Sequence, residues 1–473
     1  MFSKQGIALS LLLFLFSVSV PIYGDPGGYR ITVHIAGTPD TLCYLASYYG
    51  DKTYLIDSAF RNVKDNFVFH ADTTLPTGMY VLAGEKKNKL FDFIITGQQT
   101  FTLATNTGDM TGHMKVKGSW ENTLFFKYIQ FIAKKKQEVH RYDSILNTIR
   151  DDYDSVKRYQ TRIKKVDTEV KDYQNNLIFR NGDTFMARFM AASLEPQIPE
   201  YIFSRGGHTD SAAAFRYYKK HYWDNFDLND DRLLRTPLFQ EKFDGYINRL
   251  VLQQPDSVMA EADKILSKCK VTSETYKYLL WHLISTYEKS NIMGMDAVFV
   301  HLVKKYIERQ HYDWLNETVR KNLIDRANVL DPLLIGKPAP LMILLDTNDV
   351  PVSLYSIRSK YTIVFFWEKD CGHCQREMPV LKDFYDSSHD SLDFEVYAVC
   401  IDTSITAWKS YIREHNPDWI NVNGYRSLTP DFHDLYDIRS SPVMYLLDEN
   451  KVIIAKRILT GQIREILEMK NER

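Results

Sequence analysis

The chain has 473 residues, enough for about three domains at roughly 150 residues each. Apolar residues make up 44% and charged residues 25%, a globular balance that excludes a disordered chain and a small cystine scaffold. The 59 Lys and Arg against 60 Asp and Glu leave a formal charge of -1, so no global basic field favours nucleic acid. The 5 cysteines are odd in number and too few for a disulfide framework.

Lys4 gives a short positive start, and an apolar run from Ile7 to Val20 follows, diluted by Ser10, Ser17 and Ser19. Pro21 breaks the run, and Gly24 precedes Asp25. This is the pattern of a secretory signal peptide over residues 1–24. The run is shorter than the ~20 residues of a membrane span. No Cys follows it, which argues against a lipoprotein anchor. An uncleaved anchor or a buried helix is the competing reading. The expectation is an exported, soluble protein in a compartment where disulfides persist.

Residues 25–118 read as an all-β sandwich or barrel. Tyr29, Ile31, Val33 and Ile35 alternate with Arg30, Thr32 and His34, the period of two of a half-buried strand. Similar short runs recur at 53–56, 67–69, 79–82, 90–95 and 101–103, separated by turn residues such as Pro76, Gly78, Gly97 and Gly108. Cys43 lies on a strand and reads as a small buried hydrophobe.

Residues 119–332 read as all-α. Over 142–177, Tyr142, Ile145, Ile149, Val156, Tyr159, Ile163, Val166, Val170, Tyr173 and Leu177 form an almost unbroken heptad seam, with Asp152 taking one core position. This predicts one long coiled-coil-like helix. Its seam either folds back on a helix around 120–132 or pairs two copies in a homodimer. Pro196, Pro199 and the Gly206-Gly207 loop interrupt the pattern, and further amphipathic helix follows at 276–287 and 297–307. Gly206-Gly207-His208 lacks the strand–turn–helix setting of a phosphate loop. Cys269 has no Cys or His at metal-ligand spacing.

Residues 333–473 alternate strand and helix. Pro338 and Pro340 mark the boundary, and 362–367 is an apolar run fit for a strand buried on both faces. A helix from Cys374, a strand at 394–401, a helix at 407–415, a hairpin of 443–447 with 452–456 and a closing helix at 463–469 complete a β-α-β-α-β-β-α order.

Cys371-Gly372-His373-Cys374 follows the buried strand and opens the helix. Two thiols two residues apart on a first helical turn can close a disulfide with little backbone motion. The helix N-terminus, with its unpaired N–H groups and positive dipole end, favours thiolate at Cys371. Cys374, deeper in the helix, is the resolving thiol. Lowering a thiol pKa from about 8.5 to about 6 raises its thiolate fraction roughly 30-fold at neutral pH. The loss of nucleophilicity returns about 13-fold of that. The larger effect is a better leaving group and a more oxidising couple, and a protonated His373 acts in the same direction. Half a zinc site is the competing reading. It needs a second ligand pair, and the remaining cysteines are single; Cys400 sits inside an apolar strand.

Residues 335–470 resemble thioredoxin-fold domains of the TlpA/ResA type, exported bacterial thiol–disulfide oxidoreductases. Gly336-Lys337-Pro338-Ala339-Pro340 resembles the family's entry segment. Trp367 corresponds to the Trp four residues before the first Cys, and Pro379 to the proline that kinks the active-site helix. The resemblance implies that Glu377 lies by the active site and tunes protonation. It also implies that Ser441-Pro442 forms the cis-proline loop facing the dithiol, the residue before the proline offering backbone hydrogen bonds to substrate. Three departures stand out: Asp370 replaces the usual Trp before the first Cys, Phe365 stands where thioredoxin has a buried Asp, and Gly372-His373 is the middle pair of protein disulfide isomerase.

The expected function is reduction of disulfides in periplasmic proteins through a mixed disulfide on Cys371, resolved by Cys374. Protein thiols are the partners, a membrane reductant is the electron donor, and neither metal nor cofactor is required. Two alternatives stay open: an oxidase or isomerase of protein disulfides, and an envelope scaffold whose contacts the redox domain regulates. The N-terminal 300 residues or so resemble, in texture, accessory regions of multidomain TlpA-like proteins.

Overall fold

Why the first third of the chain makes sheets is visible in its burial. In β1 (Tyr29–Ala36), Tyr29, Ile31, Val33 and Ile35 are buried while the residues between them face outward. We describe a computed structural model covering residues 27–149, 152–205 and 208–471. The proposed signal peptide and Gly206-Gly207 lie outside these residues. The strands β2 (Leu42–Tyr49), β3 (Lys52–Phe60), β4 (Asn66–Ala71), β5 (Gly78–Ala83), β6 (Lys89–Ile95), β7 (Thr100–Asn106) and β8 (Lys115–Lys117) follow. They form two four-stranded sheets, β4-β1-β7-β8 and β3-β2-β5-β6, around one apolar core. The β1–β7 pair is parallel, so the sandwich is not wholly antiparallel as the strand spacing predicts.

The helices α1 (Trp120–Leu146), α2 (Tyr153–Asn181) and α3 (Phe185–Ser193) complete this unit. Ser119 caps α1, and the buried Asn122 clamps it to a sheet edge: Ile94 N–H donates to Asn122 Oδ1 at 2.8 Å, and Asn122 Nδ2 donates to Ile94 O at 2.6 Å. The single helix expected over 142–177 is corrected here to two. Leu146 ends α1, and Asp152, which the heptad reading places in the seam, is the N-cap of α2, its side chain accepting Ser155 N–H. An Asp buried in a seam would carry an unpaired charge, whereas at a cap it takes an orphan N–H. The two helices run antiparallel. Phe131 stacks on Tyr173 at 4.1 Å, Tyr142 meets Tyr159 at 5.8 Å, and Lys135 pairs with Glu169. The apolar seam is therefore used inside one chain.

The chain forms two compact units. The first holds the residues up to Pro196 with Asp224–Phe226 and Arg232–Gln240, and the second holds Gln197–Trp223, Asp227–Asp231 and Glu241–Arg473. The second unit begins with helices that include α4 (Pro255–Lys268), α5 (Glu274–Glu288), α6 (Asp296–Leu302) and α7 (Glu317–Leu330). After α6 the expected helix continues through residues 303–307 as a π-helical turn.

The remainder is a seven-stranded sheet. Its strands are β9 (Ile343–Asp346), β10 (Pro351–Ser353), β11 (Tyr361–Trp367), β12 (Phe394–Cys400), β13 (Ile420–Ser427), β14 (Val443–Leu447) and β15 (Ile453–Lys456). Their spatial order is β10-β9-β13-β12-β11-β14-β15. The central β11 pairs parallel with β12 and antiparallel with β14. Ile363, Phe365 and Trp367 feed one core and Val364 and Phe366 the other, which is why this strand reads as a continuous apolar run. The helices are α8 (Gly372–Leu392), α9 (Ile405–His415), α10 (Phe432–Tyr436) and α11 (Thr460–Asn471). Strands β9, β10 and β13 and helix α10 are additions to the expected order. Within this unit the helical part grips the sheet through a buried lysine: Lys456 Nζ, 5% exposed, pairs with Asp296 Oδ2 and donates to Leu333 O, each at 2.5 Å. Among the described residues no helix is long and apolar enough to cross a membrane.

Candidate active site

The edge of β11 delivers the chain to the dithiol. Trp367 ends the strand 1% exposed, packed on Tyr411 at 5.1 Å, and thereby fixes where the following loop begins. Cys371 is the N-cap of α8, in extended conformation at φ -79° and ψ 115°. One stripe of α8, comprising Cys374, Met378, Leu381, Phe384 and Tyr385, is buried. That stripe sinks Cys374 to 1% exposure and leaves Cys371, on the rim, partly exposed. Pro379 lies inside the helix.

Both thiols are free in this structure. Opposite them the Ser441–Pro442 peptide bond is cis, and Cys371 Sγ donates to Ser441 O at 3.4 Å. The two thiols titrate apart. Burial works against the Cys371 thiolate, but hydrogen bonds from the Ser441 side chain, from the Cys374 backbone and thiol, and from the His373 N–H outweigh it and lower its pKa. Burial pushes Cys374 up to about 11, with the adjoining Cys371 adding to the rise. Cys43, Cys269 and Cys400 are buried and each pushed up to about 12, chiefly by desolvation. Cys371 is therefore the one described thiol with both access and a lowered pKa.

The other predicted residues divide. Cys371, Cys374 and Ser441 come together. His373 is exposed, and its Nδ1 lies 2.8 Å from Arg376 Nη2. A guanidinium only donates, so Nδ1 accepts, and the fixed positive charge one turn into the helix belongs to Arg376. Glu377 points its carboxylate elsewhere: Oε1 accepts Thr460 N–H at 2.7 Å and caps the start of α11. Arg376 and Thr460 are the neighbours that sequence reasoning missed. Among the described residues no three His, Cys, Asp or Glu side chains converge as a metal ion would require.

A dithiol at a helix N-terminus, fed by the central strand of a mixed sheet and faced by a proline loop, defines a thioredoxin-fold protein. Residues 335–456 match the AhpC/TSA family, while 29–125 and 133–328 match two domains of unknown function, DUF4369 and DUF5106. The thiol–disulfide oxidoreductase ResA of Bacillus subtilis (strain 168) is 26% identical over 131 residues, 28% of this chain and 69% of that protein. ResA of Bacillus cereus is 22% identical over 139 residues, 29% of this chain and 77% of that protein. A solved domain of a possible thiol-disulfide isomerase from Cytophaga hutchinsonii is 41% identical, covering 30% of this chain and 95% of that one at a TM-score of 0.28. Residues 335–456 thus form an AhpC/TSA-type thioredoxin-fold domain like that of the ResA thiol–disulfide oxidoreductases, with accessory domains ahead of it.

Proposed function

We propose that the protein is exported, its signal peptide at 1–24, and reduces disulfides in periplasmic proteins. A β-domain (25–118) and a helical domain (119–332) would precede the redox domain (333–473). The observation that carries the reading is the split between a rim thiol with a lowered pKa and a buried neighbour held protonated. The Cys371 thiolate attacks a substrate disulfide. The S–S bond breaks, a mixed disulfide forms, and the first substrate thiolate leaves and takes a proton. Cys374 then loses its proton and attacks Cys371 Sγ, which frees the second substrate thiol and leaves the Cys371–Cys374 disulfide. Two electrons from a membrane reductant restore the dithiol.

Ser441 and Pro442 receive the substrate backbone, while His373 and the buried Trp367 tune the dithiol. Glu377 acts as a positioning residue, through the Thr460 N–H it holds. A second reading, oxidation or isomerisation, draws support from the same lowered Cys371 pKa, because a stabilised thiolate makes the couple more oxidising. Trapping decides whether the enzyme reading stands. Cys374→Ala should hold protein substrates covalently on Cys371, and Cys371→Ser should abolish insulin reduction. Intact protein that reduces no insulin and traps nothing would favour the scaffold reading instead. The seam used between α1 and α2 leaves little for a homodimer through 142–177, and light scattering that reports a dimer broken by Ile163→Glu would reverse this.

A further inference from the structure

Three guanidinium groups converge on one carboxylate at the approach to the Ser441–Pro442 loop. Asp437, its side chain 1% exposed, receives Arg326 Nη1 at 2.5 Å and Arg439 Nε at 3.0 Å on Oδ1, and Arg457 Nη2 at 2.5 Å on Oδ2. One negative charge thus faces three positive ones. The surplus is not hidden, since the Arg439 side chain is 73% and that of Arg457 50% exposed.

The position of this surplus matters. Arg439 precedes Ser441 by two residues, at most about 7 Å of chain. Ser441 is the residue whose carbonyl meets Cys371 Sγ. A hollow of 630 Å³ beside Arg439 is lined by Arg326 and Lys289 as well as by Glu288 and Asp325, and Asp325 is held by Lys321 Nζ at 2.5 Å. On the other side of the dithiol, Arg376 Nη1 stands 3.9 Å from where a Cβ on Gly372 would lie. Arg376 thus adds a cation on α8 to those near the Ser441–Pro442 loop, while the acidic Asp370 beside Cys371 is paired with Lys369.

Resting on the thiol–disulfide reading above, we infer that the site selects polypeptide substrates carrying an acidic side chain about two positions from the attacked cysteine, received by Arg439 and Arg457. Arg439 lies within about 7 Å of chain from Ser441, and two residues of an extended substrate span the same distance, so a side chain at that spacing reaches Arg439. Arg326, from the helical part, is a positioning residue: it holds the carboxylate that Arg439 and Arg457 share. Charge pairing of this kind at a partly exposed rim raises encounter and selectivity, and it is screened by salt.

The test uses the full chain and two disulfide-bonded peptides that differ only in Glu or Lys two residues from the attacked cysteine. Insulin serves as the general substrate. The kcat/KM ratio of the Glu peptide to the Lys peptide should be about threefold to fivefold at low salt. It should fall toward one in Arg439→Gln and at high salt. A merely structural role for Arg439 would lower both rates and leave the ratio standing. Insulin reduced with a ratio near one in the wild type, or with a ratio that survives Arg439→Gln, overturns the inference alone. Failure to reduce either peptide or insulin overturns the thiol–disulfide reading, and the inference with it.

Discussion

Alkylation of the reduced protein by iodoacetamide, read thiol by thiol by mass spectrometry, measures the asymmetry on which the mechanism depends. Cys371 lies below the ordinary thiol value of 9.0, and Cys374 near 11. At pH 7 a thiol of pKa 9 is about 1% ionised and one of pKa 11 about 0.01%, so ionisation alone favours Cys371 by roughly 100-fold or more. A more basic thiolate is the better nucleophile, and a Brønsted slope of about 0.45 over two units returns about 8-fold to Cys374. The net preference is therefore at least about 12-fold before access is counted. Burial of Cys374 to 1% exposure widens it. The sign of the pH dependence follows as well. Each rate climbs about tenfold per unit of pH until the thiol is ionised and then levels off. The Cys371 profile should bend below pH 9, while that of Cys374 should still be rising at pH 10. Equal labelling at pH 7, or a Cys371 profile still climbing above pH 9, would refute the reasoning.

Asp437→Asn should lower the urea midpoint by the equivalent of about 1–2 kcal/mol, since it takes the counter-charge from the half-buried Arg326 and leaves the exposed Arg439 and Arg457 to water. Burial opposes ionisation of Asp437, but Arg326, followed by Arg457 and Arg439, holds its pKa below the ordinary carboxylate value. Its stabilisation is therefore complete above about pH 4 and lost as pH falls through the native pKa. The wild type should lose stability in that acid window, and the Asn variant should show a flatter curve there. Glu377→Ala should cost about 1 kcal/mol in the same assay by uncapping α11, and Glu377→Gln, which keeps an acceptor, should cost less. If the alanine variant unfolds like the wild type, the capping role is wrong.

The redox domain was the most legible part of the chain because its features are local. A strand buried on both faces is apolar wherever no partner serves a polar group, and 363–367 is; a dithiol spaced for one helical turn must open a helix, and Cys371 does. Strand β13 escaped because it alternates Asn421 and Asn423 with apolar residues and contains Gly424. The ring of Phe432 requires that glycine, since a Cβ there would lie 2.5 Å from Cε1. The α1–α2 hairpin was half legible. The heptad was real, but periodicity alone does not distinguish a core Asp from a capping Asp, and Asp152 turned out to cap. Arg376 and the Asp437 cluster were invisible for a different reason: three of the four residues in that cluster, Arg326, Asp437 and Arg457, lie far apart in sequence. The direction of Glu377 is likewise a tertiary fact, fixed by where α11 begins.

The Lys456 ammonium has one partner, Asp296, in the helices and the other, the Leu333 carbonyl, at the proposed start of the redox domain. A redox fragment that started after residue 333 would carry a cation in its interior with nothing to neutralise it, and its pKa, already lowered by burial, would be driven down further. Such a fragment would shed the proton, hydrate the cavity or loosen the final hairpin. The sheet and the helices ahead of it should thus unfold as one cooperative unit, and a fragment starting after residue 333 should gain stability when Lys456 is replaced by an uncharged side chain of similar length, such as methionine.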